Sequence, residues 1–547
     1  MQKIIKGNIL FLIVLAIAIV FTFWNLPQTF YQQDEWQVLG HNLVQGTNNI
    51  IKYTSPLQLL FGEGRPLVRA LNLIFFGVFK FTIAPIAYFS LLVHLINSVL
   101  VYYLIKKFIT NKVAATLGTM FFALNGVSYQ AVTWAAAMNT LSATTLILLS
   151  ILSYLNFFER NEKKWLFYSL FLTISSLFLK EIGSFLFIFF PILYFFYSKK
   201  HTLVENVKVN FLFITYGLLS IFFRLGELFL ATDKKVGVFV MGGKGFGEKV
   251  LLHLVLYPIT GLFQIFFPPL LIYDFAKKIA HLQYSFITTT PLSEIVSQTI
   301  IADMIAVIGA FTIVIFIFLI NRSEKSKHMR FLILSFLLIL FSFLPYAVLY
   351  RGGSYTDSRY YYLAAIGGGM LFGYIFNFFL QKKIIIAAIA IFFGSVLILN
   401  HGKMIKKEIR QQVQIGNQRL FILKTIKDSY PTLKDKNIFY ITSRQDYIVP
   451  KNTLPFQQGI GYTLMVWYYQ TGKIPTEFLN NNFLWDMGSQ EYKEIDNKGF
   501  GFFSDFHSLL FTYKNNELSP ESVISFYWDN RSNKLIDKTA EIRKLLE

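Results

Sequence analysis

Apolar runs of about twenty residues recur from Asn8 to Asn400, each long enough to cross a bilayer core of about 30 Å. Backbone polar groups find no water inside lipid, so such runs can only be α-helices bonded within themselves. The predicted spans are Asn8–Trp24, Ala84–Ile105, Val113–Ala131, Ala137–Phe157, Trp165–Leu179, Ile182–Tyr197, Val209–Leu230, Thr299–Ile320, Phe331–Leu349, Tyr360–Leu380 and Ile384–Asn400. The expected fold is therefore an α-helical polytopic membrane protein with about eleven transmembrane helices. A hydrophobic share of 54% over 547 residues agrees with that class. The first run ends in Phe-Thr-Phe-Trp-Asn-Leu-Pro without a small-residue cleavage site, so it reads as a retained helix.

Loop charge sets the expected orientation. Lys3 and Lys6, Lys106 to Lys112, Arg160 to Lys164, Lys199 to Lys208, Arg322 to Arg330, and Lys382 with Lys383 fall in alternate loops. That pattern puts the N-terminus in the cytoplasm and the residues after Asn400 outside. It also accounts for most of the +20 net charge without a nucleic-acid partner, because residues 401–547 hold 20 Lys and Arg against 16 Asp and Glu. The apolar stretch Val250–Tyr273 does not fit as a twelfth span. It carries Pro258, Gly261, Pro268 and Pro269, so it reads as a re-entrant or interfacial helix on the outer side.

Beyond residue 400 the texture is polar and mixed in charge. A helical pattern over 401–430, a strand at Asn437–Thr442, an aromatic helix at Gly459–Gln470 and strands near Gly501–Phe503 and Ser522–Trp528 predict a small extracytoplasmic α/β domain, 401–547. The membrane domain is 1–400, with an outer loop over 25–83. Cysteine is absent, which excludes disulfides and thiolate metal sites, and no histidine spacing suggests zinc.

Carboxylates at a membrane edge are costly, so the adjacent pair Asp34-Glu35, just past the first span, reads as a functional site. Asp34 is the candidate general base, with Glu35 beside it. Lys180, Arg224 and Arg359 lie at or near outer helix ends and suit a departing phosphate. Each has a plainer reading. Lys180-Glu181 fits a snorkelling lysine beside a neutralising acid, and Arg359 with Tyr360, Tyr361 and Tyr362 fits an aromatic belt. His94 and Asn97, three apart on one helix, fit interhelical hydrogen bonds, and His94 is also a candidate substrate contact.

The order of these features resembles the GT-C class of membrane glycosyltransferases, closest to its protein O-mannosyltransferase and TMTC-like branch. The elements carrying the resemblance are the Asp34-Glu35 loop, Arg65-Pro66-Leu67, His94-Leu-Ile-Asn97, Thr133-Trp134, the Lys180-Glu181 turn and Ser358-Arg359-Tyr360. The resemblance covers Met1 to about Asn400. It implies a polyprenyl-phosphate-linked sugar donor, inversion at the anomeric carbon, Asp34 as base, and substrate contacts from Arg65, Lys180, Glu181, Arg224, Arg359, Tyr360 and His94. The acceptor, whether protein, glycan or lipid, stays open. Residues 126–139 contain no carboxylate where several relatives carry one, so no metal or other cofactor is expected. A multi-pass protein of a bacterial plasma membrane follows. The rivals are a lipid-linked-sugar transporter or flippase, which would show inverted repeats and midplane breaks, and a non-enzymatic envelope assembly protein.

Overall fold

A computed structural model describes residues 9–45, 66–198, 202–230, 246–284, 291–324, 328–347, 357–443, 454–456, 460–468, 478 and 491–547. Among them, seven helices are long and apolar enough to cross a membrane: Ile9–Gln28, Ala84–Lys106, Ala135–Arg160, Val296–Ser323, Met329–Tyr346, Ser358–Phe379 and Ile384–Ser429. The other four expected spans differ. Lys112–Ala123 has 12 residues and Lys163–Leu177 has 15, or about 18 and 22 Å at 1.5 Å per residue. Glu181–Tyr197 is a shorter apolar helix, and Leu203–Leu230 is long but charged toward both ends.

The chain divides into two compact units, Met1–Trp24 with Phe89–Lys407, and Asn25–Tyr88 with Glu408–Glu547. This differs from the expected division at residue 400 in two ways. The helix containing that position runs unbroken from Ile384 to Ser429, 46 residues or about 69 Å. The segment after the first span also groups with the C-terminal residues instead of the other apolar helices.

Within the first unit, Tyr361–Phe379 is the central helix, buried along nearly its whole length. Its glycines let backbones touch, the usual way helices associate where lipid supplies no hydrophobic drive. A Cβ on Gly369 would lie 2.7 Å from the Gly118 carbonyl oxygen, and one on Gly118 would lie 2.5 Å from that of Gly369. On another side, a Cβ on Gly367 would lie 2.6 Å from the Ser335 oxygen.

Two breaks in this unit are held by side chains. The helices Phe246–Phe266 and Pro269–Tyr284 are bent by 95° at Phe267-Pro268, which bears out a broken apolar stretch here. Pro258 and Gly261 stay inside the first helix, while Pro268 and Pro269 make the break. Pro269 has no N–H to offer the Ile265 carbonyl four residues earlier. Asn125 Nδ2 donates to that oxygen instead at 3.0 Å, and His401 Nε2 reaches the Phe266 oxygen at 3.0 Å. The same two residues hold the second break, after Ala123. Asn125 Oδ1 accepts from Val127 N at 3.0 Å, and His401 Nδ1 accepts from Gly126 N at 2.9 Å. Irregular backbone among buried apolar helices survives because protein groups satisfy it.

The second unit holds a five-stranded sheet. Its strands are β1 (Lys436–Ser443), β2 (Tyr492–Ile495), β3 (Lys498–Phe503), β4 (Val523–Asp529) and β5 (Lys534–Asp537), in the order β2-β3-β1-β4-β5. The central strands β3, β1 and β4 are parallel and the edges antiparallel. Parallel strands need helices on both faces. Ile438, Phe503 and Val523 pack on one face with Leu509, Leu518 and Leu546 from the helices Phe506–Asn515 and Thr539–Leu546 and the turn between them. On the other face Phe439 meets Phe500 and Tyr468, and Tyr468 donates to the Tyr430 oxygen at 2.7 Å. The expected α/β domain is present, with strands within a few residues of the predicted runs.

Candidate functional site

In the first unit, a tight turn and a tyrosine run converge on one aromatic ring. Lys180 is extended and opens the short 3-10 turn Glu181–Phe185 that joins two apolar helices. Gly183 packs closely in this turn, since a Cβ there would lie 2.1 Å from Ser176 Oγ. From this turn Lys180 Nζ donates to Thr140 Oγ1 at 2.6 Å and lies 5.6 Å from the centre of the Tyr360 ring.

Arg359 occupies the 3-10 turn Ser358–Tyr360 ahead of the central helix. Its guanidinium lies 4.1 Å over the Trp134 ring and 4.9 Å over Tyr360, donates to the Tyr360 hydroxyl at 3.0 Å, and pairs with Asp357 at 3.2 Å. Tyr346 stacks on Tyr360 with ring centres 4.0 Å apart. Two cations expected at a phosphate thus share a single aromatic support. Arginine suits this place because its plane stacks on rings while its N–H groups reach Tyr360 and Asp357. The Trp134 indole N–H is buried and meets no hydrogen-bond partner among the described residues. Thr140 carried no signal in the sequence that would have singled it out. Glu181 is half-buried beside Lys180.

In the second unit, Asp34 and Glu35 lie in the first turn of the helix Gln33–Gln45, where the N-terminal dipole favours negative charge. Glu35 is 1% exposed, and its carboxylate accepts the Gln32 backbone N–H, the reaching-back half of a capping box. Burial holds the Arg419 guanidinium below its ordinary value and the Glu35 charge opposes that shift; Arg419 Nη1 donates to the Tyr31 carbonyl at 3.4 Å. Asp34, one residue earlier, is half-buried. The adjacent acids therefore differ in burial.

Aromatic rings wall this turn. Trp36 is 1% exposed and meets Phe30, Tyr31 and Trp467 edge-on, with ring centres 5.7, 5.8 and 6.3 Å away. The Tyr31 hydroxyl donates to the Lys80 carbonyl at 2.6 Å. Burial, then the Glu35 charge, push its phenol well above the ordinary range.

His94 is a latch between helices. Nε2 faces the Ala123 carbonyl oxygen at 2.9 Å, which can only accept, so Nε2 carries the proton. Nδ1 then accepts from the Tyr362 hydroxyl at 2.7 Å, and that oxygen accepts from Asn97 Nδ2 at 3.2 Å. Asn97 also binds the Leu141 oxygen and Thr145. Both ring nitrogens of His94 are thus committed to protein partners, as the interhelical reading expected.

Arg65 lies outside the described residues. Arg224 is on the helix Leu203–Leu230, and its side chain lies outside them. One residue passed over in the sequence is Asp303, a half-buried acid within the apolar helix Val296–Ser323. Its signal was legible, since a lone carboxylate in an apolar run is a functional candidate by default. No family model matches the chain, and no curated protein matches it.

Proposed function

We propose that the chain is a membrane glycosyltransferase that moves a sugar from a polyprenyl phosphate to an acceptor hydroxyl, with inversion. Asp34 takes the proton from the acceptor hydroxyl as its oxygen attacks the anomeric carbon. The bond from that carbon to the phosphate oxygen breaks, and polyprenyl phosphate leaves with the electron pair. Negative charge grows on the departing phosphate, and Lys180 and Arg359 are the cations assigned to it. On this reading the protein is a multi-pass protein of a bacterial plasma membrane. Its N-terminus is cytoplasmic, and the α/β domain and the reaction are on the outer side.

The observation that carries the proposal is the contrast within the acidic pair. Glu35 is buried and caps its helix, whereas Asp34 is half-buried in the same turn. A partly shielded carboxylate suits the role of a base. The resemblance to GT-C enzymes supports the same assignment.

The test is sugar transfer by the purified chain in lipid, offered polyprenyl-phosphate sugars, with Asp34→Asn compared against wild type. A loss of about 10²–10⁴ in rate with donor binding retained supports the base assignment. Equal rates in the two proteins would remove Asp34 from the role. Donor binding without transfer in wild type would turn the reading toward transport, and absence of donor binding toward assembly.

A further inference from the structure

A deep apolar cleft lies apart from the candidate site, among the helices Phe246–Phe266, Pro291–Ser323 and Met329–Ala347. Its volume is about 550 Å³, within the range of pockets that hold a small organic ligand. Pro258 and Leu262 form one wall, and Ala310 and Leu332 lie among the other lining residues. The cleft is open on its outer side, because the lining residues Phe318 and Leu340 are 61% and 41% exposed.

Its length is informative. The lining runs from Ala310 to Asn321 on one helix and from Met329 to Leu340 on the next, about 16 Å along each axis. That is about half of a 30 Å hydrocarbon core, the depth of one leaflet. Its end is basic as well. Asn321 and Met329 close it, and an exposed arginine follows each in the chain, Arg322 one residue past the lining and Arg330 in the first turn of the helix Met329–Ala347. Arg330 also lies 5.7 Å over the Tyr197 ring, whose hydroxyl donates to the Arg330 carbonyl at 2.9 Å. The nearby acid, Glu324, lies 3.4 Å from His328.

An apolar groove one leaflet deep with a cationic mouth matches one occupant. We infer that this cleft binds an anionic phospholipid, with an acyl chain along Ala310–Asn321 and the phosphate at Arg322 and Arg330. The inference rests on the apolar helices being inserted in a membrane and is independent of the transfer reaction. Bound there, the lipid would fill space between three helices that otherwise meet incompletely.

The experiment is native mass spectrometry of the full chain released from micelles doped with equal amounts of phosphatidylglycerol, phosphatidylethanolamine and phosphatidylcholine. Phosphatidylglycerol should be retained over the other two, and Arg322→Gln and Arg330→Gln should each lower its retention about fivefold. Ala310→Phe fills the cleft from a buried position, and Leu340→Trp fills it from an exposed one that tolerates the change. Both should bring phosphatidylglycerol down to the phosphatidylcholine level. Equal retention of the three lipids by wild type, or undiminished phosphatidylglycerol in Leu340→Trp, would overturn the inference. Displacement of the bound lipid by polyprenyl phosphate but not by added phosphatidylglycerol would overturn it too.

Discussion

Replacing Tyr362 by phenylalanine deletes a single oxygen from the centre of the first unit. That hydroxyl donates to His94 Nδ1 at 2.7 Å and accepts from Asn97 Nδ2 at 3.2 Å, and all three residues are at most 2% exposed. Hydrogen bonds between membrane helices average about 0.6 kcal/mol and reach about 1.7 at most. Loss of two therefore costs about 1.2 kcal/mol, with a ceiling of about 3.4. His94→Ala removes the bonds to Tyr362 and Ala123. It also removes a ring whose centre lies 5.7 and 5.8 Å from those of Phe23 and Phe122. The cavity raises its cost to about 2–4 kcal/mol. The two variants share one bond, so a double-mutant cycle isolates a coupling of about 0.6–1.7 kcal/mol. Reversible unfolding of the full chain by denaturing detergent in bicelles measures all four proteins. A coupling below about 0.3 kcal/mol means that the two side chains do not act on each other. The latch, and the proton placement drawn from it, would then be wrong.

Three other outcomes are expected. Gly369→Ala should destabilise by about 1–3 kcal/mol although alanine is the better helix former, because its Cβ meets the Gly118 backbone; a rise in melting temperature contradicts the close packing. Arg359→Lys keeps the charge and loses stacking on Trp134 and Tyr360, so KM for a polyprenyl-phosphate donor should rise about tenfold with kcat nearly unchanged, and an unaltered KM detaches Arg359 from the donor. The Ser508 backbone N–H, then its hydroxyl, hold the Asp505 carboxyl below the ordinary aspartate value in the folded protein. The stability this gives the helix Phe506–Asn515 is complete above that ordinary value and fades as pH falls through the lowered one. Circular dichroism should show the acid loss in wild type and a weaker one in Asp505→Asn, which keeps a capping side chain without the charge.

Much of the candidate site was legible because its signals are local. An acid pair after an apolar run, or a lysine in a two-residue gap between runs, stands out without knowledge of neighbours. Partners are a different matter. Nothing local shows that Lys180 meets Thr140, that Arg359 lies on Trp134, or that Glu35 turns back to cap its own helix. Those facts depend on how helices distant in sequence are packed. The expected count of eleven spans exceeds the seven membrane-length helices among the described residues. Hydropathy measures how apolar a segment is, and it did not show that the helix from Lys112 ends at Ala123, where Asn125 and His401 bond the backbone of the following turn.

By itself, then, the sequence determined the helical class, the sites of the proline break and the short apolar strand runs near the C-terminus. These follow from backbone satisfaction in an apolar setting, from the missing proline N–H, and from local apolar runs, all of which act within a few residues. Tertiary structure alone decided that Asn25–Tyr88 belongs with Glu408–Glu547 and that the last apolar helix runs on to Ser429. It alone showed that Glu35 is buried and caps its helix while Asp34 beside it is half-buried. That difference in burial is a property of the packed chain.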